Sequence, residues 1–195
     1  MPTLEHIEEW STADDPVFTV GLPTAAQIAQ PWVWSTHEED DFPWHGLFHV
    51  QAAYLLLWSA VERIAALRFG PALDPMRRIK KLGELPSMPN WLEAAGVRMS
   101  GRRIVDSRDP EDAVRLGDDG SNAWVYWYQI RNNLSHRGKG SVREREIVNE
   151  AFIDVHDVTR LLLLELVPNV ADAWTVRDAH GRECRWRLRA RATTT

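Results

Sequence analysis

The segment RNNLSHRGKG, residues 131–140, contains the residue types whose spacing could do chemistry in this sequence. His136 follows Arg131 after four intervening residues. An imidazole titrates near neutrality, so it can take a proton from a 2′-hydroxyl or give one to a leaving 5′-oxygen. A guanidinium stays charged and binds two phosphate oxygens at once. The pair therefore predicts RNA cleavage without a metal ion, with Arg131 stabilising the phosphorane and His136 acting as general base or acid.

Polar and basic neighbours extend this candidate site. Asn132 would orient the phosphate or the imidazole and is the third predicted catalytic residue. Positive charge near a cleavage site attracts the nucleic-acid backbone. A basic helix end followed by glycine is also ordinary capping against the helix dipole, and this alternative stays open. If the segment is an RNA-cleaving site, the predicted substrate-binding residues are Asn133, Arg137, Lys139 and Arg143.

A helix must position these side chains. Ser121 or Asn122 is a good N-cap, and Gly138 provides a stop, so we predict a helix from residue 121 or 122 to about residue 136. Five residues of regular helix place two side chains about 140° apart around the axis. Arg131 and His136 can therefore meet only if the helix unwinds early or if a second copy of the chain completes the site.

One acidic residue lies on a helix that is otherwise strongly apolar. Glu62 follows Trp58 by four residues, so the two share one stripe. A carboxylate in such surroundings must find a partner or reach water. We expect Glu62 to pair with an arginine of a neighbouring helix, such as Arg131, and so to hold it in place. Tyr128 and Ser135 are the other predicted supporting residues.

Two further long helices and several short ones are predicted. An apolar stripe that includes Leu47 and Ile64 begins after Pro43 and stops at Gly70. A second stripe runs from residue 147 to residue 166, and Pro168 closes it. Short helices are predicted at 75–82 and 89–95, and residues 97–120 are predicted to form a loop or a small hairpin. Three long helices joined by irregular segments imply an all-α bundle.

The two ends of the chain differ from this bundle. Residues 1–43 hold five prolines and the acidic run EEDD, which predicts an irregular arm with short helices around residues 4–10 and 24–30. Near the C-terminus, apolar and basic residues alternate, which predicts a β-hairpin that docks on the bundle or on another chain. The predicted organisation is an N-terminal arm at 1–43, a helical bundle at 44–168, and a basic hairpin and tail at 169–195.

The motif Arg131, polar Asn132, three further residues and His136, at the end of a bundle helix, resembles the HEPN family. The run IRNNLSHRGK carries the resemblance, and the helix around AVERI and the long closing helix share it more loosely. It implies a bundle of four to five helices that acts as a homodimer with a composite active site. It also implies a ribonuclease without a cofactor, often a toxin or an antiviral effector, that leaves a 2′,3′-cyclic phosphate and a 5′-hydroxyl.

Composition favours a soluble cytoplasmic protein. Charged residues at 26% and hydrophobic residues at 44% are ordinary globular values, and the uninterrupted apolar runs are short for a membrane span. The single Cys184 can form neither an intrachain disulfide nor a cysteine metal cluster. The net charge of −5 argues mildly against a general nucleic-acid coat protein. Six arginines in residues 175–195, against none in residues 1–46, still leave room for a local basic surface.

Three basic groups are candidates for an RNA-binding surface, although groups of this kind are usually solvated surface. The first is Arg77, Arg78, Lys80 and Lys81. The second is Arg98, Arg102 and Arg103. The third is the arginine face of the C-terminal hairpin.

Two functional alternatives remain. A HEPN-like module without activity would bind a nucleotide, a partner toxin or antitoxin, or a larger defence assembly, with the acidic arm as a docking segment. His45 and His49 lie four residues apart on one helical face, and such a pair could share a metal ion in a metal-dependent bundle enzyme. No third ligand has a recognised spacing, so we predict no metal site.

Overall fold

The computed structural model describes ten parts of the chain: residues 15–33, 44–70, 72–99, 101–106, 109, 111–117, 119–137, 142–166, 175–177 and 183–185. The side chains at 136–137, 142–144, 164–166 and in the last two parts lie outside this description. The helices are α1 (Leu22–Val33), α2 (Trp44–Phe69), α3 (Pro75–Gly83), α4 (Met88–Ala94), α5 (Ala123–Arg137) and α6 (Val142–Leu166). The strands are β1 (Arg103–Val105), β2 (Ala113–Arg115), β3 (Thr175–Arg177) and β4 (Glu183–Arg185). The protein is mostly helical, and the predicted long helices, both short helices and the predicted C-terminal hairpin are confirmed.

The α2 helix is the centre of the bundle. It contacts α1, α3, α5 and α6, and large side chains such as Tyr54, Leu57 and Trp58 are almost fully buried on it. A helix this apolar can remove its side chains from water only by packing against other elements on several sides. The core is therefore built around α2, and the other helices are positioned by it.

The α1 helix belongs to this core and is longer than the segment predicted at residues 24–30. A π-helical turn, Val17–Gly21, precedes it, and Phe18 and Leu22 are buried against α2. Asp15 caps this turn and pairs with Arg63 of α2 at 2.8 Å. Pro23, the second residue of α1, is compatible with a helix start, and Pro31 lies within the last turn of the helix. The bundle thus includes residues upstream of position 44, whereas the segments 1–14 and 34–43 lie outside the described residues.

A small antiparallel hairpin connects α4 to α5, which confirms the hairpin alternative for residues 97–120. Strands β1 and β2 pair with Arg103 opposite Arg115. Asn122 was predicted as a helix cap, and its backbone carbonyl does accept the Tyr126 amide at 2.9 Å. Its side chain has another role, because it donates to the Arg115 carbonyl and accepts from the Gly117 amide. Asn122 therefore joins the hairpin to the start of α5.

The C-terminal hairpin docks on the bundle. Strands β3 and β4 pair with Val176 opposite Cys184, and β3 lies against α1. An isolated two-stranded hairpin is marginally stable, so this contact accounts for its position.

The α2 helix is long and apolar enough to cross a membrane by length and composition alone. It is the one such helix in the part of the chain that the structure describes. However, 56% of its most apolar window is buried inside the protein, as expected of a core helix. A single helix of this kind is weak evidence for a membrane.

Candidate functional site

The Arg131 guanidinium lies between α5 and α2, where three groups hold it. Its Nη2 is 3.2 Å from Oε1 of Glu62, and its Nη1 donates to the Asn132 side-chain oxygen at 3.2 Å. Its central carbon lies 5.6 Å from the centre of the Tyr128 ring. The predicted pairing of Glu62 with Arg131 is thus confirmed as a contact. A guanidinium held on three sides loses little freedom when it binds a further ligand.

Buried aromatic side chains fix this arrangement from beneath. Tyr128 packs edge-on against Trp58, with ring centres 5.6 Å apart, and Trp58 packs edge-on against Trp124 at 6.0 Å. Tyr54 donates a hydrogen bond from its hydroxyl to the Trp127 carbonyl at 2.9 Å. These contacts join α2 to α5 over a little more than one turn of α5. The Arg131 guanidinium therefore lies on a well-packed layer of aromatic side chains.

The ion pair is accessible to solvent. The Arg131 side chain is 29% exposed and the Glu62 side chain is 35% exposed. Since a guanidinium has five N–H donors, its contacts with Glu62 and Asn132 leave donors for another acceptor. Arg131 can therefore be held by the protein and still bind an anion from solution.

Two of the predicted neighbours make contacts within the fold. Asn133 donates to the Val105 carbonyl of β1 at 2.8 Å and accepts from Gln129 at 3.1 Å. Ser135 donates to the Arg131 carbonyl one turn earlier at 3.0 Å. Asn133 thus anchors the β1–β2 hairpin on α5, and Ser135 binds the backbone of its own helix.

The α5 backbone remains helical through Arg137, so the helix does not unwind between Arg131 and His136. The regular geometry keeps the two positions about 140° apart around the helix axis. The side chains of His136, Arg137 and Arg143, and the whole of Lys139, lie outside the described residues. Of the two routes to convergence, early unwinding is therefore absent from this chain.

A small open depression of about 40 Å³ borders the Glu62 side of the ion pair. Its lining includes Glu62 and Ala65 of α2 and Pro75, Arg78 and Ile79 of α3. Arg78 thus lines the same shallow hollow as Glu62, the residue that pairs with Arg131. Arg78 was predicted only as one of a basic group and was not connected to Arg131, because the packing of α3 on α2 depends on the tertiary fold.

A second charged cluster lies on the other side of α5. Arg102 pairs with Asp154 and, at 3.1 Å, with Glu150, and its guanidinium lies 5.6 Å from the Tyr126 ring centre. Burial raises the pKa of the Asp154 carboxyl to about 6, although Arg102 opposes that rise. Arg98 also pairs with Glu150, at 3.4 Å. These contacts fasten the segment before β1 to α6.

This cluster was not predicted from the sequence, although a signal was present. Asp154 lies three residues after Ala151 and four before Val158, both of which belong to the buried stripe of α6. A carboxylate on that stripe needs a cationic partner. The sequence alone could not identify Arg102 as this partner, because Arg102 is 52 residues away from Asp154 in the chain.

The two histidines at the start of α2 form an aromatic group with Trp32. The His45 and His49 ring centres are 6.1 Å apart, and the Trp32 ring lies 4.9 Å from His45. His49 Nδ1 also lies 2.6 Å from the His45 carbonyl oxygen. Within the described ranges, His, Cys, Asp and Glu side chains form no group of three or more that could hold a metal ion. The His45 ring therefore packs edge-on against both Trp32 and His49 at the start of α2.

No family model, no curated protein and no solved structure matches this chain. The HEPN resemblance therefore remains one of motif and helix placement.

Proposed function

We propose that this chain is a metal-independent endoribonuclease of HEPN type. The observation that carries the proposal is the Arg131 guanidinium, held by Glu62 and Tyr128 and still 29% exposed, five residues before His136 on a bundle helix. A fixed and accessible cation is what charge development on phosphorus requires. The setting that goes with this proposal is a cytoplasmic toxin or antiviral-defence effector.

The mechanism assigns one task to each group. His136, as general base, takes the proton of the 2′-hydroxyl, and the 2′-oxygen forms a bond to phosphorus. Arg131 stabilises the extra negative charge of the phosphorane, and Asn132 orients the reacting groups. The bond from phosphorus to the 5′-oxygen then breaks, and that oxygen gains a proton from an imidazolium. The products are a 2′,3′-cyclic phosphate and a 5′-hydroxyl, while Arg137, Lys139 and Arg143 attract the RNA backbone.

A second copy of the chain completes the site in this proposal. Arg131 and His136 lie about 140° apart around the axis of a regular helix, so within one copy of the chain they are on different sides of α5. A two-fold axis beside the end of α5 brings Arg131 of one copy towards His136 of the other. The active form is therefore a homodimer with a composite active site.

A second candidate function is a HEPN-like interaction module without catalytic activity, bound to an antitoxin, a nucleotide or a defence assembly. The same ion pair favours it, since Glu62 already balances the charge of Arg131. In that case Arg131 joins two helices and contacts no substrate.

Cleavage of total RNA by the purified protein in excess chelator tests the proposal. Wild type cleaves, and Arg131→Ala and His136→Ala each lower the rate by about 10² to 10³. Arg115→Ala is the matched control, because Arg115 is an exposed arginine of β2 away from the site, and it keeps the wild-type rate. Undiminished cleavage by both site variants would refute the assignment, and no cleavage by wild type would favour the interaction module.

A further inference from the structure

The three basic groups predicted from the sequence differ in how far their charge is compensated by acidic partners. In the group of Arg98, Arg102 and Arg103, the first two are engaged by Glu150 and Asp154 of α6. The charge of that group is therefore largely compensated within the fold. The arginine face of the C-terminal hairpin lies outside the described side chains. The group on α3 remains, and its surroundings differ from those of the other two.

The cations of α3 cover one side of a nine-residue helix. At 100° per residue, Arg77, Arg78, Lys80 and Lys81 fall within an arc of about 160°. The opposite side is apolar, and Ile79 and Leu82 are almost fully buried there. The four cations therefore face outwards together.

Little negative charge compensates this surface. Arg77 pairs with Asp74 at 3.1 Å, but both side chains are more than half exposed, so the pair is weak. In the described part of the chain, no carboxylate forms an ion pair with Arg78, Lys80 or Lys81. Lys81 lies 5.9 Å from the centre of the Phe69 ring, a contact that leaves its charge intact. A local excess of positive charge thus exists on a chain with a net charge of −5.

This surface is continuous with the Arg131 site. Arg78, at the edge of the cationic arc, lines the same depression as Glu62, and Glu62 contacts Arg131. Helix α3 also packs against both α2 and α5. Arg78 therefore lies near the residue that holds Arg131, and the other cations of α3 share its side of the helix. A polyanion bound at Arg131 would meet these cations next.

We propose that the cationic side of α3 binds the phosphate backbone of single-stranded RNA and leads it to Arg131. This inference rests on the proposed function, because RNA is taken to be the ligand of the Arg131 site. Phosphate contacts of this kind position the strand without reading its sequence. They also release bound counterions, so they make affinity fall as salt rises.

The experiment measures the affinity of a labelled oligouridine for the full chain over a range of salt concentrations. The test variant is Arg78→Gln with Lys80→Gln, since neither side chain has a partner in the described part of the chain. The matched control is Arg103→Gln with Arg115→Gln, an exposed cross-strand pair on β1 and β2 that carries the same charge. Both variants lose two positive charges, so a general effect of net charge is the same in each.

We expect the test variant to reduce the slope of log affinity against log salt by about 1.4, which is 0.7 for each lost phosphate contact. At about 0.1 M salt this corresponds to affinity roughly 25-fold weaker. The control should change affinity less than about twofold. Equal losses in both variants, or an unchanged slope in the test variant, would overturn the proposal. If the test variant loses as much affinity for polyglutamate as for oligouridine, the surface binds acidic protein and the proposal is overturned.

Cleavage measured in parallel separates this inference from the proposed function. If wild type cleaves RNA and the test variant has an unchanged KM, the α3 surface is not used and catalysis stands. If wild type does not cleave but the α3 variant loses affinity as expected, RNA binding by α3 stands and catalysis fails.

Discussion

The contribution of the ion pair between Glu62 and Arg131 to stability follows from its geometry. The two side chains are about one-third exposed and 3.2 Å apart, so the pair lies at the upper end of the range for surface pairs, about 1 kcal/mol. Arg131→Ala also removes the contact with the Tyr128 ring, which adds about 0.5 to 1 kcal/mol. We expect Glu62→Gln to cost about 1 kcal/mol and Arg131→Ala to cost about 2 kcal/mol, or roughly 4 to 8 °C in Tm.

A double-mutant cycle in urea isolates the coupling between the two residues. Glu62→Gln, Arg131→Ala and the double variant should give a coupling free energy of about 1 kcal/mol. A coupling below about 0.3 kcal/mol would mean that the carboxylate does not hold the guanidinium in solution. A coupling above about 3 kcal/mol would mark a desolvated structural pair, which is incompatible with a guanidinium that binds phosphate.

Three further predictions concern the scaffold. The pKa of Asp154, about 6 in the folded protein against 3.8 as its ordinary value, means that its contribution to stability is fully present below about pH 4 and is lost, by up to roughly 3 kcal/mol, as pH rises through 6. Urea unfolding at several pH values should show that Asp154→Asn lacks this slope, and an identical slope in the variant would exclude Asp154 as its source. Gly120→Ala should cost about 1 to 3 kcal/mol by thermal unfolding, because Gly120 has a φ of +67° and a new Cβ would overlap Leu92. Asn122→Ala should cost about 1 to 2 kcal/mol in urea through loss of its hairpin contacts, and a neutral effect would contradict its role as a tether.

The long helices were predictable because their burial repeats with the helical period. In α6, apolar residues such as Val148, Val155 and Leu162 recur at this spacing, and all three are buried. The stop signals were also local, since α2 ends at Phe69, directly before Gly70, a glycine with φ of +75°. The spacing of apolar residues and the glycine that stops a helix are properties of neighbouring residues, so both can be recognised before the fold is known.

The α1 helix was underestimated because its signal is weak in composition. It packs through the small residues Ala25 and Ala29 and contains two prolines, so its apolar stripe is less evident than that of α2. Small side chains allow close approach of two helices, but that advantage exists only once the partner helix is in place. Its contribution to the core is therefore a tertiary property.

The candidate site was partly predictable for a similar reason. An isolated carboxylate on an apolar helix indicated that Glu62 needs a cation, and Arg131 was a reasonable partner. The contact of Asn133 with Val105 and the position of Arg78 beside Glu62 depend on how a hairpin and a short helix pack. Neither arrangement leaves a periodic trace in the sequence.

The central position of α2 has a consequence for synthesis of the protein. Its packing partner α6 ends at Leu166, 97 residues after the end of α2 at Phe69. At about 5 to 20 residues per second, the ribosome needs roughly 5 to 20 s to reach the end of α6. Until α5 and α6 have been made, a 26-residue apolar helix has only α1 and the short α3 to cover it. The nascent chain is therefore expected to depend on a holding chaperone at this stage.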